Sequence, residues 1–297
     1  MRKLSLAFIA AAAIAISFTS CKDTYVDPTE DTFVKDTTAI STYARLNGLT
    51  VSQTNYGVRY AITQANPTGK LPSQADELEF KYTISKLDGT VIDVAARDTA
   101  IYFLFGLNAM LPGLEAGFAK VREGEKAIFL IPSYAAFGSS EAVGGKLPAN
   151  TPVRFDVTLN RARSEDQQIE NYIERNKYTV AELQTNGLRV IKTLAVPTGA
   201  QLIDGQTVTI KYSGSLLRAT KPFDDGGGKT LDVPLGRGSF IPGFETGLKS
   251  MRVGEKGVLV FPSSLGYGTT IKYDAVGNVA IPPYSPLAFT VEIVSAK

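Results

Sequence analysis

The sequence predicts an α+β protein whose body is one domain written twice. Three observations carry that expectation: a residue pattern that returns about 130 positions later, stretches with apolar residues at every second position, and one short amphipathic helix per copy. Ile40, Tyr43, Asn47, Thr50 and Val51 return as Ile169, Tyr172, Asn176, Thr179 and Val180, each 129 later. Gly57, Arg59, Pro67, Thr68, Gly69 and Tyr82 return 130 later as Gly187, Arg189, Pro197, Thr198, Gly199 and Tyr212. The spacing holds at Gly106/Gly236, Pro112/Pro242, Glu115/Glu245 and the "GEK" at Gly124 and Gly254, then widens to 134 at Leu147/Ile281 and Phe155/Phe289. A period of this size is a domain rather than a solenoid unit. The body therefore divides into 38–163 and 164–297, with "RARSEDQQ" (Arg161–Gln168) as a polar joint.

Each copy opens on a helical stretch. In the second, Ser164 is placed to cap it, Glu165 and Asp166 fill the first turn, and Ile169, Tyr172 and Ile173 follow at helical spacing. The rest alternates as strands do. "TVTIKYSG" puts Val208, Ile210 and Tyr212 on one face, and "LAFTVEIV" does so with Leu287, Phe289, Val291 and Ile293. Between them, Pro242 opens a short helix with Phe244, Leu248 and Met251 on one stripe and Gly254 at its end. Leu114, Phe118 and Val121 repeat that stripe in the first copy. Many short strands with one such helix imply an antiparallel sheet folded over it.

The N-terminus reads differently. Arg2 and Lys3 precede an apolar block, Leu4–Phe18, too short to be a comfortable membrane span. Residues 1–20 are expected to be a secretory signal peptide. Cys21, the only cysteine, follows where cleavage belongs and has no partner for an intramolecular disulfide. The segment resembles bacterial lipoprotein signals, with Phe18 where that family has leucine. The resemblance implies lipid on Cys21 and an exported protein anchored to a bacterial membrane, on the periplasmic side or the cell surface. Residues 21–37 are polar and read as a flexible tether.

Loss of residues 1–20 lowers Lys+Arg from 31 to 29, against 29 Asp+Glu, so no global charge favours nucleic acid. With no histidine and one cysteine, Ser-His and Cys-His couples and the usual transition-metal clusters are excluded. Neither a metal nor a cofactor is expected.

"IKYSG…PFDD", "PGFETGLKSMRVGEK", "SSLGYG" and "IPPYSPLAFTVEIV" stand in the second copy in an order that resembles FKBP-type peptidyl-prolyl cis-trans isomerases. The likeness covers about 205–294, and about 76–159 in the first copy with weaker motifs. It implies two tandem FKBP-like domains, each a curved antiparallel sheet around a short helix with an N-terminal helical extension. It also implies an apolar pocket that takes proline-containing polypeptides. Carried over residue by residue, Tyr212, Phe223 and Asp224 form one wall, and Leu231 and Val233 a wall strand. Phe240 and Ile241 precede the helix, with the Ile241 N–H offered to a substrate carbonyl. Phe244 is the floor, where many members have tryptophan; Tyr267 offers its hydroxyl; Ile281 and Phe289 close the far side. Taken singly, Tyr212, Phe244 and Phe289 are also explained by core packing, and Asp224 by a turn beside Gly226–Gly228.

The first copy keeps Tyr82, Asp93 and Phe155. It has Ile92, Met110, Leu111, Leu114, Phe137 and Leu147-Pro148-Ala149 where the second has Phe223, Phe240, Ile241, Phe244, Tyr267 and Ile281-Pro282-Pro283. The expectation is a prolyl isomerase assisting the folding of exported proteins, active mainly in its second domain. The competing expectation is a non-enzymatic chaperone or peptide-binding lipoprotein using the same pockets.

Overall fold

The computed structural model describes residues 30–95 and 100–297. The expected signal peptide, Cys21 and the first part of the tether lie outside the described residues. The described chain forms two compact units that meet in sequence between Arg163 and Ser164. Both are α+β, as the repeat and the alternation imply.

The first unit opens with α1 (Glu30–Leu46). This corrects the expected tether, because residues 30–37 are helical. Asp36, Ile40 and Ala44 lie four apart and form a buried stripe. The polar look of this segment misled because one buried position is an acid: Asp36 accepts hydrogen bonds from the Ser133 N–H (2.7 Å) and hydroxyl (2.6 Å). The helix ends in a Schellman arrangement, with Leu49 N–H on the Ala44 carbonyl and Gly48 N–H on that of Arg45.

The strands of this unit are β1 (Ser52–Gln53), β2 (Arg59–Gln64), β3 (Glu77–Lys86), β4 (Val91–Val94), β5 (Ile101–Leu104), β6 (Lys126–Ile131) and β7 (Val153–Arg163). They pair antiparallel in the order β1-β2-β6-β7-β3-β4, with β5 also on β3. The short helix α2 (Pro112–Phe118) packs on one face through Leu114 and Phe118. Ile40 and Ala44 of α1 cover Ile128 and Leu130 of the sheet in a separate apolar cluster. The sheet thus has a helix on each face.

The second unit repeats the plan. Ser164 caps α3 (Glu165–Arg175) in a capping box: its hydroxyl accepts the Gln167 N–H, and the Gln167 side chain accepts the Ser164 N–H. Because β7 reaches Arg163 and the cap is Ser164, the expected polar joint is a strand end and a helix start, with no free linker between. The strands are β8 (Glu182–Leu183), β9 (Arg189–Leu194), β10 (Thr207–Leu216), β11 (Leu231–Pro234), β12 (Lys256–Phe261), β13 (Lys272–Tyr273), β14 (Val279–Ile281) and β15 (Leu287–Ala296). The main sheet runs β11-β10-β15-β12-β9-β8, and β13 with β14 makes a separate hairpin.

Leu287, Phe289, Val291 and Ile293 of β15 face α4 (Pro242–Lys249), whose Phe244 and Leu248 they meet in one core. Full burial of each such side chain contributes roughly 1.5–3 kcal/mol. Ser250, not Gly254, closes α4, so Met251 joins the core from the turn that follows. The helix approaches the sheet closely at Gly243, where a Cβ would lie 2.5 Å from the Phe261 ring. Ile169 and Ile173 of α3 cover the opposite face at Ile191, Val258, Val260 and Ala288. Among the described residues no helix is long and apolar enough to cross a membrane.

Candidate active site

The site of the second unit gathers at the N-terminal end of α4. Ile241 is the N-cap, in extended conformation, and Pro242 takes the first helical position. The Ile241 carbonyl accepts the N–H groups of Phe244 and Glu245. Among the described residues none accepts the Ile241 N–H. The buried carboxylate of Glu245 reaches back to the Gly236 N–H, which ties down the Gly236–Phe240 loop. The repeat marks Glu245 and Glu115 as equivalent, and the structure supplies the role.

Five rings share this end of the core. The Phe244 ring, 3 % exposed, is the hub. Its centroid lies 4.8 Å from Phe289, 5.9 Å from Phe240 and 6.2 Å from Tyr212, the last edge-on. Phe223 meets Phe289 edge-on at 5.7 Å. Such tilted and edge contacts are favoured aromatic geometries. Ile281, Leu231 and Val233 complete the apolar surround. Tyr212, Phe223, Phe240, Ile241 and Tyr267 are only partly buried. The hub and the far wall are covered, while the near rings keep open faces.

The polar groups stand along the rim. The Tyr212 hydroxyl donates to Asp224 Oδ2 at 2.8 Å, and Asp224 Oδ1 accepts the Gly226 N–H at 3.1 Å. Asp224 is thus both a turn acid and the tyrosine's partner. Burial first, and then the Asp224 carboxylate, push the Tyr212 phenol up to about 12. Burial and the same carboxylate also raise the Tyr267 phenol. Both stay neutral donors at ordinary pH. Among the described residues no hydrogen bond is made by the Tyr267 hydroxyl, and the Lys272 ammonium lies 4.8 Å over its ring.

Gly214 is a site residue that sequence reading missed. It sits opposite Phe289 on β10, and its N–H and carbonyl pair with Asp224 and Phe223. A Cβ there would lie 2.6 Å from the Phe289 ring and 2.8 Å from that of Phe223. Only glycine leaves room for both rings. The signal was present in the repeat, because position 84 of the first copy is isoleucine.

At the corresponding end of the first unit, Leu111 and Phe137 are partly buried, like Ile241 and Tyr267, but the rest of the surround differs. Ile84 and Ile92, Met110, Leu114, Leu147 and Phe155 are all buried. Tyr82 still donates to Asp93 Oδ2, at 2.7 Å, but it is buried too, and burial followed by Asp93 drives its phenol far above the ordinary range. Tyr82 and Phe155 keep a ring contact there at 6.0 Å, but the other rings cluster elsewhere: Phe80 and Phe118 are 4.7 Å apart, and Phe118 meets Phe129 edge-on at 5.5 Å.

A family profile described as FKBP-type peptidyl-prolyl cis-trans isomerase matches residues 69–160 and 199–294, one segment in each unit. The human protein named peptidyl-prolyl cis-trans isomerase FKBP9 is 28 % identical over 225 residues, covering 74 % of this chain and 35 % of that protein. Arabidopsis thaliana FKBP53, of the same printed activity, is 40 % identical over 114 residues, 38 % of this chain and 23 % of its own length. A crystal structure of the three FKBP domains of wheat FKBP73 aligns over 84 % of this chain and 99 % of its own, with 21 % identity and a TM-score of 0.40. The chain spans about a third of the length of the FKBP9 and FKBP10 relatives it matches. With both segments matched in tandem, the chain belongs to the FKBP-type peptidyl-prolyl cis-trans isomerase family.

Proposed function

We propose that this chain is a peptidyl-prolyl cis-trans isomerase acting on proline-containing polypeptides, with its activity mainly in the second unit. The observation that supports this reading is the ring cluster around Phe244, with Phe223 and Phe240 only partly buried, where the first unit has the buried aliphatic side chains Ile92, Met110 and Leu114. The relatives' printed names support the reaction class.

The chemistry asks little of the side chains. Rotation about a peptide bond has a barrier of about 18–20 kcal/mol, and X-Pro bonds exchange over tens of seconds or longer. No covalent bond forms or breaks, so no nucleophile is needed. Twisting the amide breaks its C–N resonance and makes it less dipolar. A dry site of Phe223, Phe240, Phe244 and Phe289 favours the twisted amide over the planar one, and catalysis needs only that difference. The proline ring enters toward Phe244, while the Ile241 N–H and the Tyr267 hydroxyl hold the chain on either side. The Tyr212–Asp224 pair fixes the rim.

The direct test is proline-limited refolding or peptide isomerisation with the full chain. Acceleration above background supports the proposal. A folded protein that gives none rejects it, and peptide binding without turnover would leave a chain-binding protein instead.

The proposal extends to place. An exported protein anchored through lipid on Cys21, helping exported clients fold, is supported by residues 1–21 alone. Labelled fatty acid should enter the wild type and not Cys21→Ala; equal labelling would reject the anchor.

A further inference from the structure

We propose that Glu165, on the far side of the sheet from α4, is a positioning residue for Tyr267. The inference rests on the isomerase reading of the second unit.

Glu165 is the first residue of α3, the extension helix that covers the outer face of the sheet. Its carboxylate is engaged at both oxygens by one residue 98 positions away. Oε2 accepts the Ser263 N–H at 2.6 Å, and Oε1 accepts the Ser263 hydroxyl at 2.7 Å. Ser263 is buried and begins the short 3-10 turn Ser263–Leu265 after β12. Hydrogen bonds from neutral donors to a carboxylate are short and among the stronger ones in proteins.

Ser263 in turn holds the residues on both sides of Tyr267. Its carbonyl accepts the Gly266 N–H and the Gly268 N–H, each at 2.8 Å. The Gly268 carbonyl accepts the Tyr284 N–H at 2.8 Å, which ties the same turn to the segment after Ile281. The path from Glu165 to the pocket is therefore one side chain, one residue and two hydrogen bonds. The Tyr267 carbonyl accepts the Thr270 N–H at 3.0 Å, but its hydroxyl makes no hydrogen bond among the described residues, so this clamped backbone and the Lys272 ammonium over the ring are what aim it.

The clamp is written in both units. Asp36, 129 positions before Glu165, accepts the same two Ser133 donors, there both on Oδ2, and the Ser133 carbonyl accepts the N–H groups of Ala136 and Gly138. The side chains differ by one methylene, which hid the pair from a reading that counted identities. In the first unit the clamped turn presents Phe137 and no hydroxyl. The positioning role therefore has a functional consequence only where Tyr267 stands.

The test is a double-mutant cycle in the full chain, assayed where circular dichroism shows every variant folded. Glu165→Ala is expected to lower kcat/KM about three- to tenfold, and Ser263→Ala, which keeps the backbone N–H, by less. Glu165→Gln offers an oxygen to the N–H and an NH2 to the hydroxyl, so it should return kcat/KM to within about twofold of wild type. In a Tyr267→Phe background, Glu165→Ala should cost less than about twofold, because the group it positions is gone. Losses that multiply in the double variant, or no rescue by Gln, would overturn the proposal. Amide exchange separates this failure from failure of the isomerase reading. With or without turnover, exchange at Gly266 and Gly268 should quicken at least about tenfold in Glu165→Ala, and unchanged exchange would overturn the clamp itself.

Discussion

The two units share a fold and differ in where their aromatic rings lie. In the first, Phe118 ends α2 and sits with Phe80 and Phe129, so the rings fill the core at the helix C-terminus. Leu248, Ile210 and Leu259 stand at the matching places in the second. There the rings have moved to the helix N-terminus, around Phe244. A core tolerates either distribution, since packing asks only that volume be filled. A binding site asks for more, because some ring faces must stay uncovered. Ile84 and Ile92 are buried at that end of the first unit, while Gly214 makes room in the second for the Phe223 ring, which is only partly buried.

The largest expected effects come from removing a ring at each end. Phe118→Ala should cost the first unit about 3–5 kcal/mol, as large-to-small core changes do, and leave isomerisation unchanged. Phe244→Ala should lower isomerisation more than tenfold. Urea unfolding and a peptide assay on both variants check the pair. Equal activity losses from the two would break the assignment of chemistry to the second unit.

A smaller effect sharpens the same contrast. Gly214→Ala places a methyl within 2.6 Å of the Phe289 ring, so Phe289 or Phe223 must shift. Overpacking of this kind typically costs about 1–3 kcal/mol. Isomerisation should fall together with the urea midpoint of the second unit. A variant with both properties of the wild type would show that the rings do not need that space.

Much of this contrast was legible in the sequence. The repeat exposed both copies, alternation gave the long strands, and Pro242 with Phe244 and Leu248 gave the helix. Substitutions at Phe223, Phe240, Phe244 and Tyr267 separated the pockets. What escaped has a common physical cause. Asp36 and Gly214 act through what they touch across the fold, and neither polarity nor periodicity records a partner. An acid in α1 looked like part of a tether because its serine lies 97 positions away. Gly214 went unremarked because the rings that need its missing side chain come from elsewhere in the chain.

Tyr267→Phe tests a single group. One lost hydrogen bond is worth about 0.5–1.5 kcal/mol, so kcat/KM should fall roughly two- to twelvefold, less than for Phe244→Ala. Phe137→Tyr should confer nothing on the first unit, whose Ile92, Met110 and Leu114 still stand in place of the three phenylalanines. A larger loss from Tyr267→Phe than from Phe244→Ala would contradict a mechanism carried by apolar surround.

The smallest effect concerns the tyrosine that both units keep. Burial and then Asp224 raise the Tyr212 phenol to about 12, above its ordinary value near 10. The folded state therefore holds the proton more tightly than the unfolded chain, and stability must fall with pH wherever that difference is titrating. The contribution is complete below about pH 10 and is lost as pH rises toward about 12. Tyr82 is raised further, burial again being the first cause and Asp93 the second, so its contribution persists to higher pH. Tyr212→Phe should flatten part of the decline between about pH 10 and 12, while Tyr82→Phe should flatten its upper end. Urea midpoints across that range, with phenolate absorbance followed in parallel, distinguish the two. If the decline were the same in wild type and Tyr212→Phe, the Tyr212 phenol would not be raised in the folded state.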